Sequence, residues 1–181
     1  MYGMVNKAVE EMVCAAHGEI MWEKVKERAG VDVDVFISNE AYPDEMTRKL
    51  VEATSELTGT PPAQVLEAFG EHWVLKTARD GYGELLDTAG KNLREFLMNL
   101  PDFHARVSMI FPELQPPGFK VSDVTDRSVR LHYFTRRDGL TPFVIGLLKG
   151  LGKMFGTPVR SVTLTSSRDQ GADHDIFQIE W

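Results

Sequence analysis

The chain has 181 residues, 43% hydrophobic and 26% charged, a mixture that suits one globular domain with a buried core. Its 20 basic against 27 acidic residues give a formal charge of −7, which works against a sequence-independent hold on nucleic-acid phosphates or on an anionic membrane. One cysteine, Cys14, excludes an internal disulfide framework and any cysteine-rich zinc or iron–sulfur site, and it reads as a small buried helix residue.

The opening stretch, MYGMVNKAVEEMVC, carries acidic residues where a secretory signal has an uncharged core. No apolar run approaches the roughly 20 residues that cross a bilayer, so a cytoplasmic location is the expectation. From Met1 to about Met109 the pattern is helical. Val5, Val9, Met12 and Val13 share one face, Trp22 and Val25 follow, and Met46, Leu50, Ala53 and Leu57 recur at helical spacing. Gly18, Gly30, Tyr42-Pro43-Asp44, Gly59-Thr60-Pro61 and a Gly81-Tyr82-Gly83 turn are expected to separate short helices. After Phe111-Pro112 and Pro116-Pro117-Gly118 the pattern turns strand-like: FKVSDV, SVRLHYFT, a helix TPFVIGLLKGLGKMF, then VRSVTLTSS and HDIFQIEW. The expectation is an α+β fold in one domain, residues 1–181. An N-terminal helical subdomain (1–60) packs on a second (61–181) that holds later helices and a four-stranded antiparallel sheet.

Three apparent motifs carry no chemistry. GLLKGLGKM resembles a phosphate loop, but five residues separate Gly146 from Gly152-Lys153 and Met154 replaces the required Ser or Thr. Asp173-His174-Asp175 suggests a metal site, yet neighbours on a strand point in opposite directions and cannot share one ion; turn capping or strand pairing fits better. Cys14 and His17 lack both a second pair of ligands and the CxxCH that attaches a c-type haem.

Two features remain. In NLREFLMNLPDFHARVSMIF, the side chains of Phe96, Leu97, Leu100, Val107 and Phe111 trace an apolar stripe, and His104 falls on it. Alone, such a residue is ordinarily a core histidine bonded to a carbonyl. In LHYFTRRDG, strand alternation puts Leu131, Tyr133, Thr135 and Arg137 on one face that is half apolar and half polar. Together the two suit a haem, which needs a neutral imidazole, an apolar slot, and cationic or hydroxyl groups where its propionates emerge. The guanidinium can chelate a carboxylate through two parallel bonds.

The motifs MYG-VNKA, AFGEHW, FHARV, FPEL-PPGF, Tyr-x-Ser/Thr-x-Arg and GADHDIF run the length of the chain. In that combination it resembles the bacterial haem nitric oxide/oxygen binding (H-NOX) family, relatives of the sensor domain of soluble guanylate cyclase. The resemblance implies a haem b buried between the subdomains, held without a covalent link. It puts the iron ligand at His104, and the propionate clamp at Tyr133, Thr135 and Arg137, with Thr where family members usually have Ser. It sets Pro117 against the porphyrin, together with Met1 and Val5 of the first helix. The distal pocket it implies is Val5, Val9, Trp73, Phe143 and Leu147, with Phe143 where oxygen-binding relatives have a tyrosine.

The expected function is therefore a haem-based sensor, not an enzyme, that binds nitric oxide and carbon monoxide. It would signal to a histidine kinase or a cyclic-dinucleotide enzyme in trans by weakening the iron–His104 bond and shifting the helical subdomain. The alternatives are a peroxidase-like haem enzyme, for which His72 is the one candidate acid, a gas storage protein, and a haem-free small-molecule carrier.

Overall fold

The computed structural model describes residues 1–111 and 116–181, so the Phe111-Pro112 boundary and much of the FPEL-PPGF turn lie outside the described residues. The N-terminal half is helical: α1 (Gly3–His17), α2 (Glu19–Ala29), α3 (Asp44–Thr58) and α4 (Pro62–His72). A π-helical segment (Trp73–Ala78) leads into α5 (Arg79–Asp87), and α6 (Leu93–Ile110) follows. Glycines end α2 and α3, since Gly30 and Gly59 sit in the left-handed region at φ 64° and 68°. At the start of α6 the Asn92 side chain accepts from the Glu95 amide at 2.9 Å, and the Glu95 carboxylate accepts from the Lys91 amide at 2.9 Å.

The expected break at Gly81-Tyr82-Gly83 is present as a kink inside α5. Tyr82 leaves the helical region (φ −141°, ψ 26°) and divides the segment into two short helical runs. The Tyr82 ring meets Phe111 edge-on, 5.6 Å between centroids, and its hydroxyl lies 3.6 Å from the Met4 sulfur, so packing holds the kink in place.

The strands β1 (Gly118–Ser122), β2 (Ser128–Phe134), β3 (Ser161–Ser166) and β4 (Asp175–Glu180), with α7 (Thr141–Met154) before β3, make an antiparallel sheet of order β1-β2-β4-β3. Alternation along β2 buries Val129, Leu131 and Tyr133 against the core, opposite Ile179, Phe177 and Asp175, and turns Arg130 and His132 outward. The strand ends at Phe134, so Thr135 and Arg137 lie beyond the pleat that alternation alone extends to them. The fold is α+β as expected, and among the described residues no helix is long and apolar enough to cross a membrane.

Two apolar clusters form. One gathers α1, α2 and α3 around Val9, Val13, Trp22, Val25 and Leu50; the other packs α6 and α7 on the sheet around Phe96, Leu97, Leu148 and Phe177. They are joined where α4 crosses α7. A β-carbon on Gly146 would collide with the Glu67 carbonyl oxygen, and one on Gly70 would lie 2.7 Å from the Leu147 amide nitrogen. Ion pairs Lys149–Glu67 and Lys153–Glu71, each 2.5 Å, flank this crossing.

Gly146→Ala should therefore wedge the two helices apart and lower stability by about 1–3 kcal/mol. Gly81→Ala, where nothing lies within 4 Å of the added carbon, should cost little. Thermal unfolding of the two variants checks the contrast, and equal midpoints would contradict it.

Candidate functional site

A cavity of about 740 Å³ takes its walls from both apolar clusters, and that size suits a whole prosthetic group. Helix α6 contributes Phe96, Leu100, Phe103 and His104; β1 and β2 contribute Phe119, Leu131 and Tyr133; α4, the π-helical segment and α7 contribute Phe69, Trp73, Phe143 and Leu147. The side chains of Asp44, Arg48, Thr135, Arg136, Arg137 and Asp138 also line it, so it is apolar in most of its wall and charged along one part.

The ring of His104 lies in this wall with Nδ1 3.1 Å from the Leu100 carbonyl oxygen, one helical turn back. A carbonyl only accepts, so Nδ1 carries the proton and Nε2 keeps its lone pair. Phe119 and Phe103 pack around the imidazole at 4.6 and 5.4 Å between centroids. Burial pulls its pKa down to about 4 against the opposing pull of the Leu100 bond, which leaves a neutral, donor-ready nitrogen at pH 7. A carbonyl-bonded core histidine and a metal ligand are here the same arrangement, because the bond to Leu100 is what orients the other nitrogen.

All four residues of the half-polar strand face line the cavity. Tyr133 is 3% exposed, against Phe119 at 5.5 Å; burial pushes its phenol up, while a hydrogen bond with Thr135 and the charge of Arg137 oppose this. Past the strand end, Thr135 Oγ1 accepts from the Arg137 amide at 3.1 Å, a turn that returns the guanidinium to the cavity. Arg137 Nε donates to Asp44 Oδ2 at 2.6 Å, and Asp44 Oδ1 takes the Met1 ammonium at 2.5 Å. Burial raises the Asp44 carboxyl, but its bonds from the amine and from Arg137 outweigh this and hold it below the usual carboxylate range.

Met1, Val5, Trp73, Pro117, Phe143 and Leu147 all line the cavity. Val9 does not. It is fully buried inside the N-terminal cluster, one turn further along α1, where that helix meets α2 and α3 instead of the cavity. Phe143 tilts onto Phe69 at 4.9 Å, and Trp73 meets Phe69 edge-on at 6.4 Å. His72 faces a separate groove between α1 and α4, its Nε2 3.8 Å from Glu11. Asp175 caps, as its strand-end position suggests, accepting from the Arg168 amide at 2.7 Å and the Thr141 hydroxyl at 3.1 Å. The sequence pattern missed Met4, Tyr82, Phe119 and Asp44 as cavity residues. Tyr82 read as a turn residue, and Asp44, 93 positions from its partner Arg137, carries no local signal.

One free neutral nitrogen, an apolar slot and a cation able to bind carboxylate are the donor set a haem requires, and the residues present fit that group.

Known proteins point the same way. A family model described as Haem-NO-binding matches residues 2–162. Among curated relatives, soluble guanylate cyclase gcy-31 of Caenorhabditis elegans is 25% identical over 182 residues, 100% of this chain and 26% of that protein. Soluble guanylate cyclase gcy-32 of the same species is 31% identical over 156 residues, 84% of this chain and 23% of its own length. The chain thus spans about a quarter of these relatives. An H-NOX protein from S. oneidensis in the Fe(II)NO ligation state superposes with a TM-score of 0.88 at 22% identity, over 99% of this chain and 98% of that one. The Fe(II) unliganded H-NOX protein from K. algicida gives 0.85 at 23% identity, over 99% and 96%. With the family model spanning residues 2–162, the chain belongs to the Haem-NO-binding family, the H-NOX family that its motifs resemble.

Proposed function

We propose that this chain is a haem-based gas sensor: one domain, residues 1–181, that holds haem b non-covalently, binds nitric oxide and carbon monoxide, and signals to a partner protein. The observation that carries this reading is the partly buried His104 ring in the cavity wall, with Nδ1 engaged by Leu100 and Nε2 left as a neutral donor. Bound in this cavity, haem would supply a ferrous iron that takes a diatomic gas. His104 Nε2 would ligate the iron. Tyr133, Thr135 and Arg137 would bind the propionates, and Pro117, Met1 and Val5 would pack on the porphyrin. Trp73, Phe143 and Leu147 would wall the gas site.

Selectivity follows from the donors on that wall. Bound dioxygen takes up electron density and gains more from a hydrogen bond than nitric oxide or carbon monoxide does. Of Trp73, Phe143 and Leu147 only Trp73 carries a donor, an indole N–H that does not suffice for a stable oxygen complex; Phe143 has no hydroxyl to offer, and the phenol of Tyr82 is directed to the Met4 sulfur.

Signalling requires an element with two states. Weakening of the iron–His104 bond by nitric oxide would lift the restraint on α6, the helix that carries His104. Asp44, which joins the Met1 amine to Arg137, carries the change to α1 and α3. The signal passes to a catalytic partner, a histidine kinase or a cyclic-dinucleotide enzyme. The peroxidase-like alternative needs an acid within the cavity, and His72, its candidate, faces the outer groove.

His104→Gly should lose haem, or hold it weakly, with free imidazole restoring the intense Soret band; an unchanged five-coordinate spectrum would sink the assignment. Arg137→Ala removes a charge-assisted bond worth about 1.5–3 kcal/mol, so haem transfer to apomyoglobin should accelerate by about 10- to 100-fold. In air the ferrous protein should show no stable oxy spectrum, whereas Phe143→Tyr should gain measurable oxygen affinity. A persistent oxy form in the wild type would contradict the selectivity argument.

A further inference from the structure

The outer face of the sheet carries a second constellation, turned away from the cavity. His132 on β2 pairs across the ladder with Ile176 on β4, so His174, two residues before Ile176, is its diagonal neighbour. The two imidazoles face one another with His132 Nδ1 2.8 Å from His174 Nε2. Each ring is held from behind by an oxygen. Ser122 Oγ lies 2.9 Å from His132 Nε2, and Asp173 Oδ2 lies 3.3 Å from His174 Nδ1. Phe134 stacks on His174 at 4.2 Å and 24°, which fixes the plane of that ring.

From this arrangement we infer that His132 and His174 form a surface site for a first-row divalent cation of the Cu2+ or Zn2+ class, with Ser122 and Asp173 orienting the two ligands and solvent completing the coordination. A carboxylate or hydroxyl behind each imidazole is the pattern that fixes metal-binding histidines. The proton accounting is consistent. The Asp173 carboxylate requires the proton of neutral His174 on Nδ1, leaving the Nε2 lone pair free. His132 now donates from Nδ1 to that lone pair; when a cation enters, its proton moves to Nε2 and is donated to Ser122 Oγ, exposing the Nδ1 lone pair. No proton is lost.

The two ring centroids lie 5.1 Å apart and the facing nitrogens 2.8 Å, nearly on one line. Two nitrogens about 2.0–2.1 Å from a tetrahedral ion lie about 3.3 Å apart, so the pair opens by about 0.5 Å and each ring turns by roughly 35° for the two lone pairs to converge on the ion. Asp173 is exposed and His174 partly so, which leaves the outer side open to water. Asp173 addresses the far nitrogen of His174 and not the shared locus, so the protein supplies two ligands, in keeping with the absence, among the described residues, of any three-residue metal cluster. The neighbouring charges are mixed: Lys120 and Arg130 oppose a cation, Asp123 and Asp173 favour it. Burial, then the charges of His174 and Arg130, holds His132 below the ordinary imidazole range and therefore neutral. Imidazole nitrogen suits copper and zinc, and copper binds the more tightly.

The test is calorimetric titration of the purified full chain with CuCl2 and with ZnCl2, paired with electron paramagnetic resonance of the added Cu2+. One saturable ion with two equatorial nitrogens is expected. His132→Ala and His174→Ala should each weaken it by about 100-fold and Ser122→Ala by about tenfold, while His17→Ala, on the exposed end of α1, leaves it unchanged. His132→Gln keeps a hydrogen-bonding group in the strand and should lose the ion just as His132→Ala does, which separates a ligand role from a folding one. No saturable ion in the wild type, or the same affinity in either His132 variant, would overturn the assignment.

Discussion

The close crossing of α4 and α7 is the constraint on which the rest of the molecule depends. Gly70 and Gly146 let the two backbones approach until no β-carbon fits between them, and this joins the helical cluster to the cluster on the sheet. The crossing also decides which side chains meet at the join. Phe69 and Trp73 on one helical run and Phe143 and Leu147 on the other come together as a single cavity wall. The π-helical segment that begins at Trp73 lies in this wall, as such wide turns often do near functional sites.

Inside the cavity, one hydrogen bond decides which nitrogen of His104 keeps its lone pair. Were His104 Nδ1 free, the neutral ring could adopt either tautomer and turn either nitrogen inward. Leu100 removes that choice, and burial removes the competing proton. At the charged part of the wall, Asp44 has a comparable role for the second functional group. It satisfies the Met1 amine and Arg137 together, so the cation that faces the cavity is already oriented and the first helix is tied to it. A carboxylate arriving at Arg137 meets a guanidinium that Asp44 already holds through Nε.

The sheet works on both faces. Leu131 and Tyr133 point to the cavity, and His132 between them points away, so a single strand carries one wall of the cavity and the paired imidazoles behind it. The strand ends at Phe134, and the turn made by the Thr135 hydroxyl brings Arg137 back to the cavity.

Much of this was legible in the amino-acid order because it is local. Helical spacing of the apolar residues, alternation in the strands and glycine at helix ends are properties of adjacent residues, and they located the elements, the stripe bearing His104 and the half-polar face of β2. The motifs identified the family for the same reason. Three things were decided only by tertiary packing. Tyr82, at the kink between two glycines, becomes part of the cavity wall because its ring finds Phe111 and Met4. Val9, on the same apolar face as Val5, goes to the core and not the cavity because the neighbouring helices cover it. Asp44 becomes part of the cavity because the fold sets it beside a residue 93 positions away, and the meeting of distant side chains leaves no periodic trace in the chain.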